Sequence, residues 1–402
     1  MTFEELYRRV LKDRLAGRET TGKGIRKKLD CLLHPEKHPL VWRNEPCDCT
    51  DAKCVTACMF QALEVKDGTV TLNPDNCTGC AKCIEACENK NLTFSHDTIR
   101  AVEILKSSKT PVYALMAPAF IGQFGKEATP EKLRSALKGM GFAGMIEVAA
   151  FADILTLKEG LEFCENTEPG NGFQLTSCCC PIWISMIRKD FQKIAGHLPA
   201  SVSPMIACGR IAKALHEGCK TIFIGPCLAK KAEIREPDLV GAIDCVLTFE
   251  ELQDIFEALE VDFKEMEADA NEHSAAAGRM YARTGGVSQA VKECVDSIDS
   301  DRELKPVCAS GVANCKEMLQ NILDGHIKGN FFEGMACPGG CVGGPKKNID
   351  TETGTKLVDE YAEEAKYRTP GENPYVLDLI QRLGFGTVED FLANSHILTR
   401  SL

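Results

Sequence analysis

Thr176-Ser177-Cys178-Cys179-Cys180-Pro181-Ile182-Trp183 is the stretch on which the reading of this chain turns. A single cysteine is often a small core hydrophobe. Three in a row cannot all face one core, because neighbouring side chains diverge in a helix and in a strand. Some of these thiols must face a metal or a reacting group. Two later stretches look like partners: Pro226-Cys227-Leu228-Ala229-Lys230-Lys231-Ala232-Glu233, and residues 333–344, where Met335, Cys337 and Cys341 lie among glycines.

Upstream, residues 46–97 are dense in cysteine. One run holds Cys47, Cys49, Cys54 and Cys58; the next holds Cys77, Cys80, Cys83 and Cys87. The second has the C-x2-C-x2-C-x3-C spacing of bacterial two-cluster ferredoxins. The first departs from it in its first two gaps, and Met59 follows its last cysteine where proline is usual. Zinc is the alternative, but zinc sites take four ligands from two paired runs, and here there are two runs of four. No internal repeat is apparent.

The composition narrows the function further. The chain has 402 residues, 22 of them cysteine, and a net charge of −11. That charge argues against nucleic-acid binding, which needs a basic face. No apolar run is long enough for a membrane span. Arg8-Arg9 is followed by charged residues rather than an apolar core, so an export signal is not expected. A chain of this length needs no disulfide framework, so the cysteines point to a reducing cytoplasm and thiolate-bound metal.

From about residue 98, apolar strands alternate with helices, as in Val112-Tyr113-Ala114-Leu115-Met116 and Thr221-Ile222-Phe223-Ile224. That pattern predicts an α/β fold of parallel sheets, with functional residues where strands end. Ala117-Pro118 and Cys227 stand at such ends. Ahead of the cysteine-rich unit, residues 2–16 predict a helix with Thr2 and Glu5 as a capping box. This extension either packs over the next domain or offers a basic face to an acidic electron carrier.

The three motifs, in this order, closely resemble the signatures of [FeFe]-hydrogenases: T-S-C-C-P-x-W, P-C-x-x-K-x-x-E and E-x-M-x-C-x-G-G-C. The resemblance covers about residues 46–402. It implies two parallel-sheet lobes enclosing an H-cluster, plus an N-terminal two-cluster ferredoxin-like α+β domain. The expected divisions are 1–45, a helical extension; 46–97, the ferredoxin-like domain; 98–240 and 241–370, two catalytic lobes; and 371–402, a wrapping tail. The implied reaction is 2 H+ + 2 e− = H2. The H-cluster is a [4Fe–4S] cubane joined by a cysteine sulfur to a two-iron unit with CO, cyanide and a dithiolate.

Carried over by motif, Cys180, Cys227, Cys337 and Cys341 hold the cubane, with Cys341 bridging; Ala117 and Pro118 line the cofactor. Cys179 carries protons, Lys230 meets a cyanide, and Met335 packs beside the two-iron unit. Glu159 and Glu162 match the family's proton relay, an exposed pair being the alternative. The ferredoxin resemblance assigns one [4Fe–4S] cluster to Cys47, Cys49, Cys54 and Cys87, and another to Cys77, Cys80, Cys83 and Cys58. The implied partners are a ferredoxin or similar low-potential electron carrier and maturation enzymes, with no nucleic acid and no membrane.

The chain departs from the usual pattern at several positions. Cys178 is an extra cysteine, Pro199 stands at the relay serine, Gly225 precedes Pro226 in place of methionine, and Ala119 and Pro345 are unusual. These features match the short, divergent branch often called group B. A non-catalytic iron–sulfur carrier or assembly factor of the same superfamily is one alternative function, and a hydrogen sensor is another. Relatives without catalysis keep cubane cysteines but lose the proton cysteine and the lysine, and Cys179 and Lys230 are both present.

Overall fold

The computed structural model describes residues 2–21, 25–44, 47, 49, 51–168, 172–271, 273–394 and 396–401. The expected boundary between 45 and 46 lies outside them. The first helix, Phe3–Leu15, has the predicted capping box: the Thr2 hydroxyl accepts from the Glu5 N–H, and the Glu5 carboxylate accepts from the Thr2 N–H. Phe3, Leu6, Tyr7, Val10 and Leu11 form its buried face and join the main core. Arg8, Arg9 and Arg14 are paired with Glu4, Asp13 and Glu103. The helix therefore covers the body.

The cysteine-dense unit contains β1 (Val41–Arg43), β2 (Leu63–Lys66), β3 (Thr69–Leu72) and β4 (Leu92–Phe94), paired antiparallel as β1 with β4 and β2 with β3. Two one-turn helices, Lys53–Thr56 and Lys82–Glu85, each follow an alanine in the left-handed region, Ala52 at φ 39° and Ala81 at φ 65°. Gln61 and Lys90 repeat that conformation further on. These pairs expose an internal repeat that contradicts the expectation of none: Ala-Lys-Cys-Val-Thr-Ala-Cys at 52–58 returns as Ala-Lys-Cys-Ile-Glu-Ala-Cys at 81–87. The unequal gaps ahead of Cys54 and Cys83 hide it from a reading by cysteine spacing.

Seven further strands build the body: β5 (Val112–Met116), β6 (Gly144–Glu147), β7 (Gln174–Leu175), β8 (Lys220–Gly225), β9 (Cys245–Thr248), β10 (Pro306–Ser310) and β11 (Phe331–Met335). One parallel sheet runs β6-β5-β8-β9 and a second runs β10-β11-β7. β5, β8 and β9 are apolar runs rather than alternating ones because helices cover both sheet faces.

The expected lobe division at 240 does not follow these sheets. β9 lies beyond it but completes the first sheet, with Cys245 opposite Ile222. β7 lies before it but pairs into the second, with Gln174 opposite Phe331. The chain leaves the first sheet through the long helix Ala149–Asn166, lays down β7, and returns for β8 and β9. Both lobes are therefore interleaved in sequence. The tail helices Pro374–Arg382 and Val388–Asn394 bury Val376, Leu379, Ile380 and Phe391 in the main core. Among the described residues, no helix is long and apolar enough to cross a membrane.

Candidate active site

Three loops, each at the carboxyl end of a parallel strand, carry the motif residues. β7 leads into 176–183, β8 into Pro226-Cys227, and β11 into 336–341. Such strand ends are where open α/β sheets bind their ligands. In the first loop Ser177 takes φ 66°, a left-handed conformation costly for a residue other than glycine. The three cysteines after it diverge as expected. Cys178 enters the main core, Cys179 packs beside the cluster holding Met335 and Phe331, and Cys180 packs beside the cluster holding Trp183. Cys180 also caps the helix Pro181–Asp190, whose positive end favours nearby negative charge.

Close packing joins the loops. The Trp183 indole N–H donates to the Thr176 carbonyl at 2.8 Å. A Cβ at Gly334 would meet the Trp183 ring at 2.2 Å, so only glycine lets β11 approach the first motif. The Lys346 N–H donates to the Pro226 carbonyl at 3.0 Å, tying the third loop to the second.

Cys180, Cys227, Cys337 and Cys341 come together. Burial, then the neighbouring Cys227 and Cys180 thiols, push Cys341 up to about 12. Burial, then Cys227, Cys180 and Cys341, hold Cys337 well above the ordinary thiol range. Cys227 is pushed up to about 11 by burial, against the pull of Lys230. None of the 22 cysteines is joined in a disulfide. Among the described residues, no three His, Cys, Asp or Glu side chains are set to share a single metal ion. A cubane is a larger object and takes one thiolate at each iron. Buried thiols that resist ionisation, gathered from three loops, fit such a group, since iron displaces their protons on binding.

Lys230 is buried beside this set. Its ammonium donates to the Cys179 carbonyl at 2.8 Å and to Glu233 at 2.6 Å. Burial opposes the charge, but Glu233 and Cys227 outweigh it and raise the pKa of Lys230. Ala117 is buried, its N–H on the Ile224 carbonyl at 2.9 Å, and Pro118 begins the turn after it. Met335 is buried at the end of β11.

Glu159 and Glu162 lie on the helix Ala149–Asn166. Glu159 is fully buried, which removes the exposed-pair alternative for it; Glu162 is partly exposed and paired with Lys158. The Glu159 carboxylate accepts from the Thr176 hydroxyl and from a thiol at 3.2 Å, and that thiol belongs to Cys178, not Cys179. Burial raises Glu159 to about 7. Flanking Pro199, His197 stacks on Phe173, and the buried Ser201 hydroxyl has no hydrogen-bond partner among the described residues.

In the small unit the cysteines sort across its two halves. After burial, Cys47 and Cys87 are what raise Cys49 and Cys54. Cys80, Cys77 and Cys58 likewise raise Cys83, which reaches about 12. The last cysteine of each half thus lies among the cysteines of the other. Amide donors meet these sulfurs: Asn89 reaches Cys49, the Ala62 N–H reaches Cys58 and the Asn91 N–H reaches Cys87, all at 3.2 Å.

Two motif residues to which the sequence reading gave no role act as supports. Glu333 accepts the Gly285 and Ser288 N–H groups at 2.6 and 2.8 Å, fixing the start of the helix Gly286–Ile298 to β11. Lys231 is buried between Asp97 and Glu251 and holds the short helix Lys230–Glu233 against the junction at Ser95. Glu333 opens the third motif and Lys231 lies inside the second, but their partners, distant in sequence, could not be read from the motifs.

Comparison with known proteins agrees with this geometry. The family described as iron only hydrogenase large subunit, C-terminal domain, matches residues 110–345, more than half of the chain. This chain belongs to that family. It is similar to the NADP-reducing hydrogenase subunit HndD of Solidesulfovibrio fructosivorans, 26% identical over 80% of this chain and 66% of that subunit. It is also similar to cytosolic iron-sulfur assembly component 3 of Rattus norvegicus, 24% identical over 84% of each chain. The structure of [FeFe]-hydrogenase HydA1 from Chlamydomonas reinhardtii superposes with a TM-score of 0.59 at 20% identity, covering 75% of this chain and 98% of that one. The fold is the α/β architecture of the [FeFe]-hydrogenase catalytic domain. The family thus includes both hydrogenases and iron–sulfur assembly proteins among this chain's relatives.

Proposed function

We propose that the chain is an [FeFe]-hydrogenase that interconverts protons, electrons and H2, in the cytoplasm and with a low-potential carrier such as a ferredoxin as partner. One observation carries the reading: four thiols from three separate loops meet beside a buried lysine and a further free thiol. Cys180, Cys227, Cys337 and Cys341 would hold the cubane, with Cys341 also joining the two-iron unit. When bound, the H-cluster supplies the centre at which protons and electrons combine.

The chain's own residues do the rest. Lys230 offers a buried cation that a metal-bound cyanide can satisfy. Met335, Phe331 and Tyr281 keep water from that side of the pocket. Cys179 holds a proton at its Sγ, and Glu159 holds one at a carboxylate poised near neutral pH. Glu162, nearer the surface, exchanges protons with solvent. The thiol groups of the small unit would hold two [4Fe–4S] clusters and bring electrons in.

A second reading, an iron–sulfur carrier or assembly factor, is supported by the match over 84% of the assembly component's length. Infrared spectra of anaerobically matured protein separate the two. CO and CN stretching bands, with H2 evolved from a reduced viologen, are expected; a chain rich in iron but without those bands would refute the hydrogenase reading.

A further inference from the structure

The two halves of the small unit carry equivalent lysines, Lys53 and Lys82, in the repeated Ala-Lys-Cys sequence. Their surroundings differ. Lys53 pairs with Asp51 and Glu88 on an exposed face. Lys82 pairs with Glu85 at 2.7 Å, and both line a narrow cleft that also contains Cys80, Cys337, Pro338 and Gly343. The cleft has about 20 Å3 of free space, room for roughly one water. Its walls join one thiol of the Cys58, Cys77, Cys80 and Cys83 set to one thiol of the Cys180, Cys227, Cys337 and Cys341 set. The two sets are held together at Gly79, where a Cβ would stand 3.0 Å from the Ala229 Cα.

We propose that the Lys82–Glu85 pair sets the electrical potential of the gap between the inner cluster of the small unit and the catalytic cubane, and so tunes both. The proposal rests on the ligand sets given under the proposed function. Reduction of a [4Fe–4S] cluster adds one electron and no bond changes. A nearby cation favours the reduced form and a nearby carboxylate opposes it. Lys82 lines the same cleft as Cys80 and Cys337. Lys189 also lies near the inner set: it donates to the Asn76 carbonyl, next to Cys77, at 3.4 Å, but does not line the cleft.

The test uses the full chain with its [4Fe–4S] clusters reconstituted anaerobically, without the two-iron unit, in redox titrations followed by electron paramagnetic resonance. Lys82→Gln should make both the inner cluster and the cubane harder to reduce. At the wild-type midpoints the reduced-to-oxidised ratio should fall about threefold, roughly 28 mV at about 59 mV per tenfold for one electron. Glu85→Gln should move both the other way, and Lys189→Gln should move the inner cluster alone. Wild-type iron content with both midpoints unmoved in Lys82→Gln, or with only the inner one moved, overturns the proposal. A wild-type chain that never takes up the iron of the cubane overturns the ligand reading, and this proposal with it.

Discussion

Glu159 shows how one side chain can be both buried and functional. It has no exposed surface, and burial lifts it from 4.5 to about 7. The folded chain therefore keeps a proton that the unfolded chain has lost above about pH 4.5. Stability should fall as pH rises from there to about 7 and level off beyond, a loss on the order of 3 kcal/mol. Comparing melting temperatures of wild type and Glu159→Gln between pH 5 and 8 checks this; parallel curves would contradict it. If Glu159 also passes protons, the same variant should lower H2 turnover about 100-fold while leaving iron content unchanged. Its partner thiol is Cys178, the cysteine that departs from the family motif, so Cys178 stands next to the expected proton route.

At the scale of elements, the motifs act through the strands and helices they terminate. Trp183 belongs to the first motif and Gly334 to the third, and each explains the other: the indole lies flat where any side chain on β11 would go. Gly334→Ala should push the first loop off β11 and cost about 1–3 kcal/mol in thermal unfolding. It should also lower the iron bound at the cubane site, because Cys180 starts the helix that carries Trp183. A variant with unchanged iron and melting temperature would show that the loop yields more easily than the packing implies. The glycine and the tryptophan could each be quoted from the sequence. That they touch could not, since 150 residues of chain lie between them, including β8 and β9 of the other sheet.

At the scale of the molecule, the crossed grouping of cysteines makes the small unit one object rather than two. Cys87 lies in the second half but groups with Cys49 and Cys54 of the first. Cys87→Ser should therefore disable the cluster held by the first half and spare the one held by Cys77, Cys80, Cys83 and Cys58. Electron paramagnetic resonance of the reduced protein should lose one [4Fe–4S] signal, and loss of the other instead would reverse the assignment. Of the two sets, the one containing Cys80 shares a cleft with Cys337.

The parallel α/β class, the capping box at Thr2 and the motif cysteines were legible along the chain, because each depends on neighbours a few residues away. The interleaving of the two sheets was not, because strand order is decided by which apolar faces pack and not by where strands fall in sequence. Nor could residue order tell which of Cys178 and Cys179 meets Glu159. A left-handed Ser177 turns each thiol toward a different cluster of side chains, and only those clusters, assembled from distant segments, choose among them.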